Sequence, residues 1–186
     1  PHADVARRLA ALRAPLGVYA VNGNHDWWED REAMRRGRGA VTALARALEA
    51  VGIPLLRNQV VRAGPVLVGG LESQWAFGLN RGAEDVPRLL AQVTGDAPLL
   101  LMAHEPDIFA GLPGRAAVTF SGHTHGGQVR LAGWSPHTPS RFGNRYAWGH
   151  VREDGRDLVV SGGLGISTLP VRFGVPPEIT LVEIGA

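Results

Sequence analysis

The chain of 186 residues has 45% hydrophobic residues and 19 basic against 17 acidic side chains, a balance that excludes a disordered segment and fits one folded domain. It has no cysteine, which rules out disulfide frameworks, thiolate metal sites and cysteine nucleophiles, and no apolar run near the ~20 residues that cross a bilayer. Every basic residue is arginine, and the densest group, Arg31, Arg35, Arg36 and Arg38, is interleaved with Glu29, Asp30 and Glu32, so the basic balance marks no nucleic-acid footprint.

Taken in chain order, Val5, Leu9 and Leu12 predict a helix over 3–13, and a short apolar strand follows at 18–21. The next polar stretch, Gly23-Asn24-His25-Asp26, reads by itself as a turn. Val41, Leu44, Leu48 and Val51 predict a second helix, ended by Gly52 and Pro54, with strands near 54–62 and 66–69. Asp85 is placed to cap a third helix running to about Val93.

The run at 99–103 is apolar on both faces and predicts a buried central strand that ends at His104. A brief helix is expected at 107–112 and another buried strand at 117–120, ending in Ser121-Gly122-His123-Thr124-His125-Gly126-Gly127. A hairpin turning at Asp154-Gly155 and strands at 158–161 and 179–184 close the chain. Helix and buried strand alternate, then strand follows strand, so the expected class is a layered α/β sandwich, with no repeat or linker to divide it.

Three predicted strands end in polar clusters. In open α/β sheets ligands collect beyond the carboxyl ends of the strands, so Asn24, His25, His104, His123 and His125 should meet at one rim. Singly, each cluster has a plain structural reading; jointly they point to a metal site. Imidazoles with an amide oxygen suit zinc, manganese or iron better than calcium or magnesium. Trp27 and Trp28 could wall a leaving-group pocket or pack in the core, and Arg172 reads as a backbone or ion-pair anchor rather than a phosphate contact. Ser161-Gly162-Gly163-Leu164-Gly165 lacks the lysine of a phosphate loop, and no Gly-x-Ser-x-Gly elbow exists for a serine hydrolase.

The blocks Gly23-Asn24-His25-Asp26, His104-Glu105-Pro106-Asp107 and Gly122-His123-Thr124-His125-Gly126-Gly127-Gln128, in this order, resemble the last three blocks of the calcineurin-like metallophosphoesterases. The ending Leu169-Pro170-Val171-Arg172-Phe173-Gly174 with Pro177-Glu178-Ile179-Thr180 is similar to a bacterial branch often exported or membrane-anchored through an N-terminal segment. The resemblance implies a four-layer α/β/β/α sandwich, of which residues 1–186 would be a single incomplete domain lacking its first strands. It implies that Asn24, His104 and His123 hold the second metal, that His125 holds the first, and that His25 is the acid and substrate contact. The family's Asp-x-His block and its Gly-Asp block with the bridging aspartate are absent; Gly95-Asp96 precedes the leucine strand, at its amino end, and is rejected for that role.

On this resemblance the intact enzyme would use two divalent ions (Mn, Fe or Zn), of which this chain would hold at most one. The reaction would be hydrolysis of a phosphoester, foremost a diester, in a small molecule or lipid headgroup. The chain, which starts at Pro1, would be the C-terminal part of a longer enzyme and inactive alone, or else a degenerate homologue. Asp26 would support the loop, with the carboxylate that orients His25 lying upstream. The alternatives are a mononuclear zinc hydrolase built on His104, His123 and His125, and a non-catalytic binding domain.

Overall fold

A computed structural model describes residues 2–185. Its elements are α1 (His2–Leu9), α2 (Asn24–Trp28), α3 (Arg31–Arg36), α4 (Ala43–Glu49), β1 (Gln59–Ala63), β2 (Val66–Gly70), α5 (Val86–Leu90), β3 (Leu99–Met102), β4 (Ala116–Ser121), β5 (Gly149–Glu153) and β6 (Arg156–Val160). Short 3-10 turns lie at Pro106–Gly111, His125–Gly127 and Gly143–Tyr146. The strands form one six-stranded sheet in the order β1-β2-β3-β4-β6-β5. The four inner strands β2, β3, β4 and β6 run parallel, and β1 and β5 are antiparallel edges.

The parallel core follows from its residues. Leu99 and Leu101 are fully buried and pack with Leu67, Leu71, Leu89 and Leu112, so β3 is held by apolar side chains from its neighbours and from α5. Asp85 accepts a hydrogen bond from the Arg88 backbone N–H and caps α5 as expected. The hairpin β5–β6 turns at Asp154-Gly155, with Glu153 paired to Arg156. On the sequence-distant side, Ala6 of α1 packs with Ala45 and Leu48 of α4 and with Ile53 and Leu55.

The class is α/β, and several elements depart from their sequence expectation. Leu100 and Met102 are half-buried rather than buried, because the face they share is covered only by the small cluster of Leu56, Ala63 and Val68 with Tyr19 and Val61. The strand expected at 18–21 is reduced to a single parallel bridge, Ala20 with Leu55. The strand expected at 179–184 does not form: Ile179 is 85% and Leu181 86% exposed, and among the described residues no edge pairs with it. The described residues thus form one sheet with flanking helices, without a second facing sheet.

Two short helices, α2 and α3, were not expected. Asp26 closes the first turn of α2 by accepting from the Gly23 N–H at 2.7 Å. Asp30 caps α3 through the N–H groups of Glu32 and Ala33 and reaches on to the N–H of Ala43 at 2.7 Å.

Leu101→Ala should destabilise the protein by about 3 kcal/mol, the usual range for a buried leucine that leaves a cavity. Ile179→Ser should fall within about 0.5 kcal/mol of the parent, as exposed substitutions do. Urea unfolding of the two variants measures both.

Candidate metal centre

Because β2, β3, β4 and β6 are parallel, their carboxyl ends share one rim. Leu71-Glu72-Ser73, His104-Glu105, Gly122-His123 and Ser161-Gly162 all leave the sheet there. Asn24, buried in the first turn of α2, is brought to the same rim. A Cβ at Gly23 would lie 2.8 Å from both Cε1 and Nε2 of His104, so the glycine is what lets the α2 loop rest on that ring.

His123 joins them from the turn after β4. Its Nδ1 is 3.3 Å from Asn24 Oδ1. Its ring meets His104 at 5.2 Å and 74°, and Trp75 at 4.6 Å and 80°. The turn is strained: His123 and His125 both have positive φ, 66° and 52°, a region non-glycine residues rarely adopt and one that gathers at functional sites. The ligand atoms available on His104, Glu105 and His123 all lie within 4.8 Å of one another.

The electrostatics suit a cation. Desolvation of the His104 and His123 rings, reinforced by neighbouring histidines, lowers each pKa to about 4. Both are therefore neutral at pH 7, with a lone pair to offer. His123 Nε2 is buried without a hydrogen-bond partner. His125 is also held below the usual histidine range, first by desolvation and then by Arg172 and His25. Its Nδ1 lies 3.2 Å from the Gly165 carbonyl; a carbonyl only accepts, so Nδ1 carries the proton and Nε2 the lone pair.

His25 sits outside this group. Its side chain is 61% exposed, its ring is 5.3 Å from Trp28, and its Nδ1 lies 3.5 Å from Glu29 Oε1. The helical turn explains the last contact: residues four apart on a helix share a face, whereas a turn would have left His25 without a local carboxylate. Asp26 supports the loop, as expected. Trp27 is wholly buried and donates to Glu72, while Trp28 is at the surface and donates to the Trp75 carbonyl.

Arg172 is a backbone anchor. It donates to the carbonyls of Gly162, Gly163, Gly165 and His125, which fastens the glycine-rich loop to the histidine turn and leaves no free fork for phosphate. Gln128 ties the same turn to Ser167 and Leu169. Gly95-Asp96 lies in the turn before β3, at the end of the sheet opposite the rim.

Sequence reasoning missed Glu105. Buried behind His104, it accepts from Ser73 Oγ at 2.5 Å and from the Gln74 N–H at 2.8 Å, and desolvation pushes its carboxyl above the usual range. Its adjacency to His104 was the available signal.

No family model matches the chain. It is 30% identical over 185 residues to the uncharacterized metallophosphoesterase YkuE of Bacillus subtilis (strain 168), covering 98% of this chain and 61% of that one. A second protein of that strain, the uncharacterized metallophosphoesterase YkoQ, is 30% identical over 192 residues, covering 95% and 63%. An uncharacterized metallophosphoesterase of Aquifex aeolicus (strain VF5) is 28% identical over 184 residues, covering 97% and 65%. This chain is thus similar over most of its length to proteins named metallophosphoesterases. It spans under two thirds of the length of these relatives. Among solved structures, the sulfate thiohydrolase SoxB of Thermus thermophilus in complex with glycerol matches 84% of this chain and 29% of its own, at 16% identity and a TM-score of 0.49.

The neutral histidines make acid stability a direct test. Unfolded, His104 titrates near 6.5; folded, at about 4. Between those values the unfolded state binds more protons, so stability falls as pH falls, by up to about 1 kcal/mol per pH unit for this ring. In urea titrations of metal-free protein from pH 7 to 4.5, His104→Gln should therefore lose stability less steeply than the parent; parallel profiles would contradict the desolvated, neutral ring.

Proposed function

We propose that this rim is a divalent-metal centre of a phosphoester hydrolase, with Asn24, His104 and His123 holding one ion. The observation that carries the reading is the approach of Asn24 Oδ1 to His123 Nδ1, 3.3 Å, beside a second neutral imidazole. Donors at that separation would share one divalent ion, and nitrogen with amide oxygen is a donor set for zinc, manganese or iron. A bound ion there supplies Lewis-acid polarisation of a phosphoryl oxygen and lowers the pKa of an attacking water.

The chain's own residues do the rest. Glu105, its oxygens taken up by Ser73 and Gln74, holds the loop that presents His104. The Gly165 carbonyl fixes the His125 ring and Arg172 holds the His125 backbone carbonyl; the bare Nε2 of that ring is assigned to a second ion, for which the described residues offer no complete ligand set. His25 is exposed, with Glu29 near Nδ1, which leaves Nε2 to give a proton to the departing alkoxide. The substrate class is a phosphoester, foremost a diester, of a small molecule or a lipid headgroup.

A mononuclear centre is the second reading, favoured by the single cluster of His104, Glu105 and His123. His125, expected in such a centre, stands outside that cluster. Metal analysis separates the two. The proposal expects one Mn2+ or Zn2+ per chain, lost in Asn24→Ala and His123→Ala, with negligible turnover of a chromogenic phosphodiester by this chain alone. Ready turnover with one ion bound would favour the mononuclear reading. No bound ion at all would contradict both.

A further inference from the structure

Below the acid loop lies a buried carboxylate that the metal chemistry does not use. Glu72 follows β2 at the rim and is 2% exposed. It accepts from Asn22 Nδ2 at 3.0 and 3.2 Å, from Trp27 Nε1 at 3.0 Å and from Arg57 Nε at 2.8 Å. Arg57 also donates to the Ala40 carbonyl. Asn22 in turn accepts from Thr42 Oγ1 at 2.9 Å, and Thr42 caps α4 through the Ala45 N–H.

We propose that Glu72 is the positioning residue for Asn24 and His25, clamping their segment on both sides. Asn22 lies two residues before Asn24, and Trp27 two residues after His25, so the ligand and the acid sit between two side chains tied to one anion. The chain needs such a clamp here. The strand expected before this segment is only the Ala20–Leu55 bridge, so no ladder of backbone hydrogen bonds holds residues 22–28 to the sheet. Glu72 belongs to the rim through β2, and its own N–H is held by Asn58 Oδ1 at 3.1 Å.

The chemistry requires a carboxylate. All of its partners are donors, and an ionised carboxylate is acceptor-only, with two oxygens to share among them. One arginine neutralises it, and charge-assisted bonds to a dry anion are strong and directional. A glutamine of the same shape would turn an NH2 toward at least one of these donors and leave it unpaired. Loss of such outer support around metal ligands typically weakens metal binding ten- to a hundredfold.

The inference rests on the metal reading above, and its test separates the two. Mn2+ is titrated calorimetrically at pH 7, well below the melting temperature, into the parent, Glu72→Gln, Leu48→Ala and Asn24→Ala. Glu72→Gln should weaken Mn2+ binding at least tenfold. Leu48→Ala, which opens a cavity in the α1–α4 core and removes no hydrogen bond of the clamp, should stay within about twofold, since its cost falls mainly on global stability. Asn24→Ala should abolish binding. Should Glu72→Gln not fold, Trp27→Phe removes one N–H and keeps a ring; it should weaken Mn2+ at least threefold. Parent-like affinity in Glu72→Gln or Trp27→Phe, with Asn24→Ala dead, overturns the clamp alone. An equal loss in Leu48→Ala also overturns it. A parent that binds no Mn2+ overturns the metal reading and the clamp with it.

Discussion

Two imidazoles, His104 and His123, are held neutral and edge to face at 5.2 Å, with Asn24 drawn against the second. That arrangement is the constraint on which the rest depends. Rings kept from water without partners are destabilising, and His123 Nε2 has none. Strained backbone at His123 and His125 adds to it. The fold supplies the compensation through the leucine core of β2 and β3 and through the anchors around the turn, Arg172 and Gln128. Polar strain at one rim and apolar packing below it are the division expected where structure has been bent toward a site.

Each rim segment is held in a different way. His104 extends directly from β3, so its position follows from strand pairing. His123 and His125 lie in a turn that the C-terminal third of the chain fastens from outside: Arg172 grips four carbonyls, and Gly174 lets the Arg130 carbonyl approach where a Cβ would come within 2.4 Å. The Asn24 segment has neither support. It rests on Glu72, Asp26 and Asp30, three carboxylates whose hydrogen bonds stand in for a missing strand ladder.

Much of this was readable in the sequence where the determinant was local. The leucine run, the Asp85 cap and the Asp154-Gly155 turn encode β3, α5 and the β5–β6 hairpin within a few residues, and all three form. The gathering of His104 and His123 at one rim followed from strand direction, whereas Asn24 reaches them without a strand of its own. What escaped was set by partners far along the chain. Gly-Asn-His-Asp reads as a turn, and its packing on His104 and the reach of Asp30 to Ala43 add distant support to the local caps Asp26 and Asp30 of the helical run. Glu72 is an ordinary carboxylate until donors 15, 45 and 50 residues away converge on it. The strand expected at 179–184 needed an edge to pair with, and neither described edge strand, β1 or β5, pairs with it.

The central claim is that one ion sits between Asn24, His104 and His123. Anomalous diffraction from crystals grown with Mn2+ or Zn2+ measures this directly. The account predicts a peak about 2.1 Å from Asn24 Oδ1 and from one ring nitrogen each of His104 and His123. A peak placed elsewhere, as at the surface pair His150–Asp157, or none at saturating metal, would contradict it.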